Sequence, residues 1–213
     1  MIERKIVYFE KSLPNVNTEA TLQVSKERAL EAGIKSVVVA SGTGTTGVKA
    51  AELFMDTGIQ IVVVTEHAGA FKFPTATPLL LHQMHRKRLE ELGARIVTAN
   101  YAFYSALESH PKFGGNIIIS DTLKRFSQGM KTAVEVSMMA ADAGAVPTNE
   151  DVIAVAGTLE GCDTAIIVKP CYTSRFFHKE KGIEIKQIIA MPICKVFYGP
   201  EVPEECRTLL RKD

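Results

Sequence analysis

Residues 36–47 read Ser36-Val37-Val38-Val39-Ala40-Ser41-Gly42-Thr43-Gly44-Thr45-Thr46-Gly47. The unbroken run Val37 to Ala40 is the pattern of a strand covered on both faces, as in a parallel sheet. A loop of glycines and hydroxyl side chains follows it directly. The pattern then predicts a helix from about Thr45 to Asp56, ended by Gly58, and a second buried strand over Ile59 to Val64. Strand, tight loop and helix in that order place the loop at the carboxyl edge of a sheet. There it meets the first turn of a helix, with its unpaired N–H groups and positive dipole end. Gly42, Gly44 and Gly47 let a ligand approach the backbone, and the hydroxyls of Ser41, Thr43, Thr45 and Thr46 add hydrogen bonds. This arrangement suits a phosphate; a tight structural turn is the competing account. The loop is not a P-loop, because no Lys-Ser/Thr pair ends it. The letters Gly42-x-Gly44-x-x-Gly47 fit the dinucleotide fingerprint. Yet Thr65 follows the second strand and Glu66 falls just beyond, so no acidic residue ends that strand.

Upstream, Lys5 to Phe9 is a first strand. Pro14, Asn15 and Asn17 mark a turn, and Asn17 or Thr18 caps a helix running to Ala32 and stopped by Gly33. Downstream, a loop from Thr65 to Pro78 leads to a helix over Leu79 to Leu92, closed by Gly93, and a strand over Arg95 to Thr98. A short helix and a loop fill Asn100 to Gly115, and Ile117 to Ile119 is a short strand or part of that loop. A long helix covers much of Asp121 to Ala143, with a break at Gln128-Gly129. Its Met130, Val134, Met138 and Ala141 recur at helical spacing as a core stripe. Val152 to Ala156 and Thr164 to Val168 are two more buried strands, and Ile183 to Met191 is a last strand at an edge. Strands and helices alternate with short links. The expected fold is α/β, a three-layer sandwich with a mostly parallel sheet, in a single domain over residues 1–213.

With 213 residues and a formal net charge of +1, the chain has no global basic field to attract nucleic acid or an anionic membrane. Its longest apolar runs are strand-sized, and Met1 to Glu10 lacks the continuous apolar segment of a secretory signal. A cytoplasmic protein is expected. Cys162, Cys171, Cys194 and Cys206 form no Cys-x-x-Cys pair and read as incidental free thiols; no metal site is expected.

Three further segments should reach the carboxyl edge: Asn15 to Thr18, Glu66 to Phe71, and Gly157 to Asp163. They add Asn17, Thr18, His67, Gly69, Thr158 and Asp163 to the candidate site. His67 could donate to a ligand, act as acid or base near neutral pH, or cap its loop. Asp163 could accept from a ring N–H or a sugar hydroxyl, or fasten its own turn. Phe71 and Phe73 could wall an apolar slot or pin their loop to the core. His82 and His85, three apart on a helix, read as a surface pair, and Arg125 and Lys131 as solvated. There is no Gly-x-Ser-x-Gly elbow, and no catalytic residue is assigned.

The stretch Asn17 to Thr65 resembles the C-terminal α/β domain of pyruvate kinase. It shares a helix ending at Glu31-Ala32-Gly33, the strand Ser36 to Ala40, the small-residue loop, a helix and the strand Ile61 to Thr65. The resemblance is looser over Arg86 to Thr98 and Asp151 to Lys169. The loop Glu66 to Pro78 is longer than in that domain, Tyr101 to Ala143 is largely extra, and the catalytic barrel is missing. The chain is most similar to stand-alone, mostly archaeal proteins of this kind, through Asn17-Thr18-Glu19, Gly129-Met130-Lys131 and Ala140 to Gly144. The resemblance implies a phosphate held at Ser41 to Thr46, no pyruvate kinase activity, and flavin mononucleotide (FMN) as cofactor. The FMN ring would point toward His67, Gly69 and Thr158. Three functions stay open: a binder of a phosphorylated small molecule, an enzyme using bound flavin or acting on a phosphorylated metabolite, and a regulatory or assembly subunit. A homo-oligomer stays open too.

Overall fold

The computed structural model describes residues 1, 3–72, 77–78, 80–103, 115–158 and 160–194. In chain order the elements are β1 (Val7–Lys11), α1 (Pro14–Ala32), β2 (Ser36–Ala40), α2 (Thr45–Leu53) and β3 (Gln60–Thr65). The two-residue strands β4 (Phe71–Lys72) and β5 (Thr77–Pro78) follow, then α3 (Gln83–Glu91), β6 (Arg95–Thr98), α4 (Gly115–Lys124) and α5 (Gln128–Asp142). The last three are β7 (Val152–Ala156), β8 (Thr164–Lys169) and β9 (Glu184–Cys194).

Seven strands form one sheet in the order β1-β9-β8-β7-β2-β3-β6. Pairing is antiparallel on both sides of β8 and parallel at the other four junctions, so β8 runs against the other six. The apolar run in β2 shows why the sheet is buried on both faces. Val37 and Val39 point to one side, with Ile61, Val63, Ile153 and Val155, and meet Leu22 of α1, Ala50 of α2 and Leu89 of α3. Val38 points to the other, with Val62, Val64 and Ala154, and meets the α5 stripe Met130, Val134, Met138 and Ala141. Each fully buried valine is worth about 1.5–3 kcal/mol. The result is the three-layer α/β sandwich that the residue pattern predicts. From β2 the chain steps outward through β3 to β6, then returns over α5 to β7 on the opposite side of β2. Strand order therefore reverses between β2 and β7, the place where ligands gather in open α/β sheets.

The differences from expectation have local causes. Helix α1 begins at Pro14, whose fixed φ suits a first turn. Asn17 therefore lies inside the helix, and its Nδ2 donates to the Lys11 carbonyl at 2.9 Å. The hydroxyls of Thr21 and Ser25 bond back to the carbonyls of Asn17 and Thr21, which lets α1 bury a polar stripe. Ile117 to Ile119 lie in α4, not in a strand. The break expected at Gln128-Gly129 falls just before them, at Ser127, whose Oγ caps α5 by accepting the Met130 N–H at 2.8 Å. Strand β9 is internal, between β8 and β1, and not at an edge. Its Glu184 is held by Lys169 at 2.5 Å on the neighbouring strand. The short helix expected beyond Asn100 falls largely outside the described residues.

Candidate functional site

The loop after β2 is held from several sides. Ser41 N–H donates to the Val64 carbonyl at 2.9 Å, and Ser41 Oγ accepts the Gly47 N–H at 3.1 Å. The Thr43 carbonyl accepts the His82 N–H at 3.2 Å and lies 2.8 Å from His85 Nδ1. Gly44 opens α2 with φ +96° and, lacking a side chain, caps none of its N–H groups; Ser41 Oγ satisfies that of Gly47. By helix geometry the N–H groups of Thr45 and Thr46 have no intrahelical acceptor. They point with the dipole toward whatever lies beyond the loop. Gly47 packs so tightly on the sheet that a Cβ there would sit 2.8 Å from Val63 Cγ2.

Beyond the loop lies a cavity of about 470 Å³. One wall is Ser41, Gly42, Thr43, Thr45 and Thr46, with Lys49 one turn along α2. Helix α5 supplies the opposite wall through Gln128, Thr132, Glu135, Val136 and Met139. Gly157, Glu160 and Gly161 from the β7–β8 hairpin form a third side, with Asn15 and Thr18 beside them. Val64, Thr65, Glu66, Tyr101 and His82 complete the lining. The cavity thus sits where strand order reverses, and its size falls in the range of roughly 300–1,000 Å³ usual for small-molecule sites.

A group of titratable side chains borders this cavity. Lys131 and Glu135 form a buried ion pair one turn apart on α5, and Glu135 Oε1 also accepts the Phe103 N–H at 3.0 Å. Lys131 Nζ lies 5.8 Å from the centre of the Tyr101 ring. Glu66 follows β3 directly and crosses over Gly42, where a Cβ would meet its Cγ at 3.2 Å. Its Oε2 is buried and has no hydrogen-bond partner among the described residues. Burial raises the Glu66 carboxyl above the usual carboxylate range; a hydrogen bond with Tyr101 and the charge of Lys131 offset part of that rise.

Of the residues singled out in the sequence, Thr18, Ser41, Gly42, Thr43, Thr45 and Thr46 line the cavity. Gly44 does not: a Cβ there would meet Leu81 Cδ1 and His85 Cβ, both at 2.6 Å, so its bare backbone accommodates the start of α3 and not a ligand. His67 stands just outside, its ring edge-on to Tyr101 at 5.2 Å, and its Nδ1 accepts the N–H of Gly69 at 3.2 Å. Thr158, Asn17 and Asp163 are buried away from the cavity. Asp163 accepts from Ser12 and from Thr164, and burial raises its carboxyl. Phe73 lies outside the described residues. His82 is exposed and His85 half-buried, so they form the surface pair expected; their rings stack at 5.3 Å, and the His82 backbone N–H and His85 Nδ1 both meet the Thr43 carbonyl. Lys131 is buried, not solvated. Glu66 lies in a segment expected at the carboxyl edge but is not singled out there, and Tyr101 and the polar face of α5 are not expected at the site from the sequence. The signal was there: Gln128, Thr132 and Glu135 recur at helical spacing beside an apolar stripe, on a helix that has to cover the sheet.

The family model for the pyruvate kinase alpha/beta domain matches residues 19–168. The chain belongs to the pyruvate kinase alpha/beta domain family. The match runs from α1 into β8 and contains the loop after β2, Glu66 and all of α5. Among solved structures, this alpha/beta domain is similar to NMN synthetase from Francisella tularensis, at 17% identity and a TM-score of 0.35. That alignment covers 65% of this chain and 52% of the other. It is also similar to NAD+ synthetase from Burkholderia pseudomallei, at 18% identity and a TM-score of 0.31 over 68% of this chain and 63% of that one. O-ureido-L-serine synthase gives 17% identity and a TM-score of 0.27, covering 62% and 41%. In each case the alignment spans less than two thirds of the other chain. At these scores the three structures carry no inference about what this domain binds.

Proposed function

We propose that this chain binds a phosphate-bearing small molecule in the cavity at the β2–β7 switch point, and that FMN is that molecule. The observation that carries the proposal is the junction of the cavity with the Ser41–Thr46 loop and the first turn of α2, where the N–H groups of Thr45 and Thr46 have no intrahelical acceptor. The phosphate would lie against the N–H groups of Thr45 and Thr46 and the hydroxyls of Thr43, Thr45 and Thr46, with Lys49 adding charge from one turn along α2. The ring would lie over Val64, Val136 and Met139 with Tyr101 at its edge. That wall is apolar with a few polar groups, the character of a cofactor slot. This differs from the ring position expected from the sequence, toward His67, Gly69 and Thr158, none of which lines the cavity.

The test is a comparison of FMN and riboflavin by calorimetry or flavin fluorescence. Charge-assisted hydrogen bonds are worth roughly 1.5–3 kcal/mol each, and about 1.4 kcal/mol is tenfold. Two bonds to the phosphate make FMN at least about a hundredfold tighter. Equal affinity, or none for either, defeats the assignment. A second reading, an enzyme acting on or through the bound ligand, is favoured by Glu66, Tyr101 and Glu135 at the cavity wall, with Lys131 paired to Glu135 behind it. In neither case is pyruvate kinase activity expected: a coupled assay with phosphoenolpyruvate and ADP stays at background with this chain.

A further inference from the structure

The Glu66 side chain is placed where burial and the facing Glu135 disfavour a carboxylate, an effect that Tyr101, Lys131 and His67 offset only in part. Its stem lies across Gly42, so it shares a wall with the loop offered to an anion. From the other side α5 presents Glu135, a second carboxylate, at the same cavity. The ammonium of Lys131 is already engaged by Glu135 in the buried pair. Tyr101 bonds to Glu66, and His67 is its chain neighbour; His82 is the remaining titratable side chain on the described cavity wall apart from Lys49 and Glu160 at the rim. Oε2 is nevertheless buried without a hydrogen-bond partner among the described residues. An orphaned carboxylate oxygen in such a place is strongly disfavoured, whereas a carboxylic acid has a proton to give.

We infer that Glu66 meets the ligand as a neutral carboxylic acid, donating its proton to an acceptor oxygen or ring nitrogen, so that the site takes up a proton together with its phosphate-bearing ligand. The inference rests on the binding function proposed above and adds to it a ligand class: a phosphorylated molecule with a hydrogen-bond acceptor that reaches Glu66. The direction of the coupling follows from the charges. A bound anion beside Gly42 holds the proton on Glu66 to higher pH than in the free protein, where burial has already raised its ionisation. Affinity is then full below the free-state ionisation. It falls up to tenfold per pH unit as pH rises from there to the ionisation of the complex.

The experiment is calorimetric titration of the full chain with FMN between pH 6 and 8, in buffers of different ionisation enthalpy. Wild type and Glu66→Gln are compared so that protons taken up by the ligand phosphate cancel. Wild type is expected to take up more protons than Glu66→Gln. The variant, which keeps a donor N–H, is expected to bind with a flatter pH profile; Glu66→Ala is expected to lose about tenfold in affinity. Should the variants fail to fold, the 13C carboxyl resonance of Glu66 in wild type reads the same property, and its midpoint should move upward when FMN is added. Tight FMN binding with equal proton uptake in wild type and Glu66→Gln, or an unmoved resonance, overturns this inference and leaves the binding function standing. No binding of FMN or of inorganic phosphate by wild type overturns both.

Discussion

Replacing Gly44 by alanine should damage the fold before it touches any ligand. The residue sits at φ +96°, where a non-glycine residue pays roughly 1–2 kcal/mol for the left-handed backbone. The new methyl would lie 2.6 Å from Leu81 Cδ1 and from His85 Cβ, closer than carbon atoms approach. Forcing extra volume into a packed contact costs typically 1–3 kcal/mol. Together the two effects come to about 2–5 kcal/mol. Pushing α3 away would also strain the contact of His85 Nδ1 with the Thr43 carbonyl, loosening the loop. In a chain of this size about 3 kcal/mol lowers Tm by roughly 6–12 °C. Urea unfolding followed by circular dichroism gives the free energy, and a thermal scan the Tm. A Gly44→Ala protein within about 0.5 kcal/mol of wild type would refute the reasoning, and so would one of normal stability that has lost only ligand affinity.

Two further outcomes test the interior. Lys131→Met leaves Glu135 buried without its cation and should cost about 3–5 kcal/mol in chemical denaturation, with part recovered in the double variant with Glu135→Leu; a loss under about 1 kcal/mol would contradict the buried pair. Cys162 is fully buried and its thiol is pushed up to about 12, so at pH 8 peptide mapping should find it unlabelled by iodoacetamide in the folded protein and labelled after denaturation; labelling in the native state would contradict its placement.

The parallel core was legible because its signals are local. Val37 to Val39 face both ways, and Gly33, Gly58 and Gly93 all take positive φ at the turns where helix stops were expected. The loop at Ser41 to Thr46 was legible for the same reason. What escaped depended on partners distant in sequence. Nothing in Glu184 to Cys194 shows that β1, near the other end of the chain, covers its outer edge. Asp163 and Thr158 belong to the right hairpin, yet only three-dimensional packing turns Asp163 toward Ser12 and leaves Gly157, Glu160 and Gly161 to the cavity. Glu66 stood in a segment expected at the carboxyl edge, yet as a residue it read only as an acid in the wrong place for a ribose. Its meaning comes from α5, whose polar face was hidden behind its methionine stripe.

The pairing of β1 with β9 sets an order of events during synthesis. β1 is an edge strand whose sheet partner is β9, with Val7 opposite Ala190. At about 5–20 residues per second, β1 emerges from the ribosome on the order of ten to thirty seconds before that partner. Strands β2, β3, β6 and β7 can meanwhile pair among themselves around Val38 and Val62, so a nascent chain can hold a formed centre while its first strand waits. During that interval the backbone edge of β1 is open to other chains, a liability native sheets blunt with charge. Lys5, Glu10 and Lys11 stand in and beside β1, where such charges would do so.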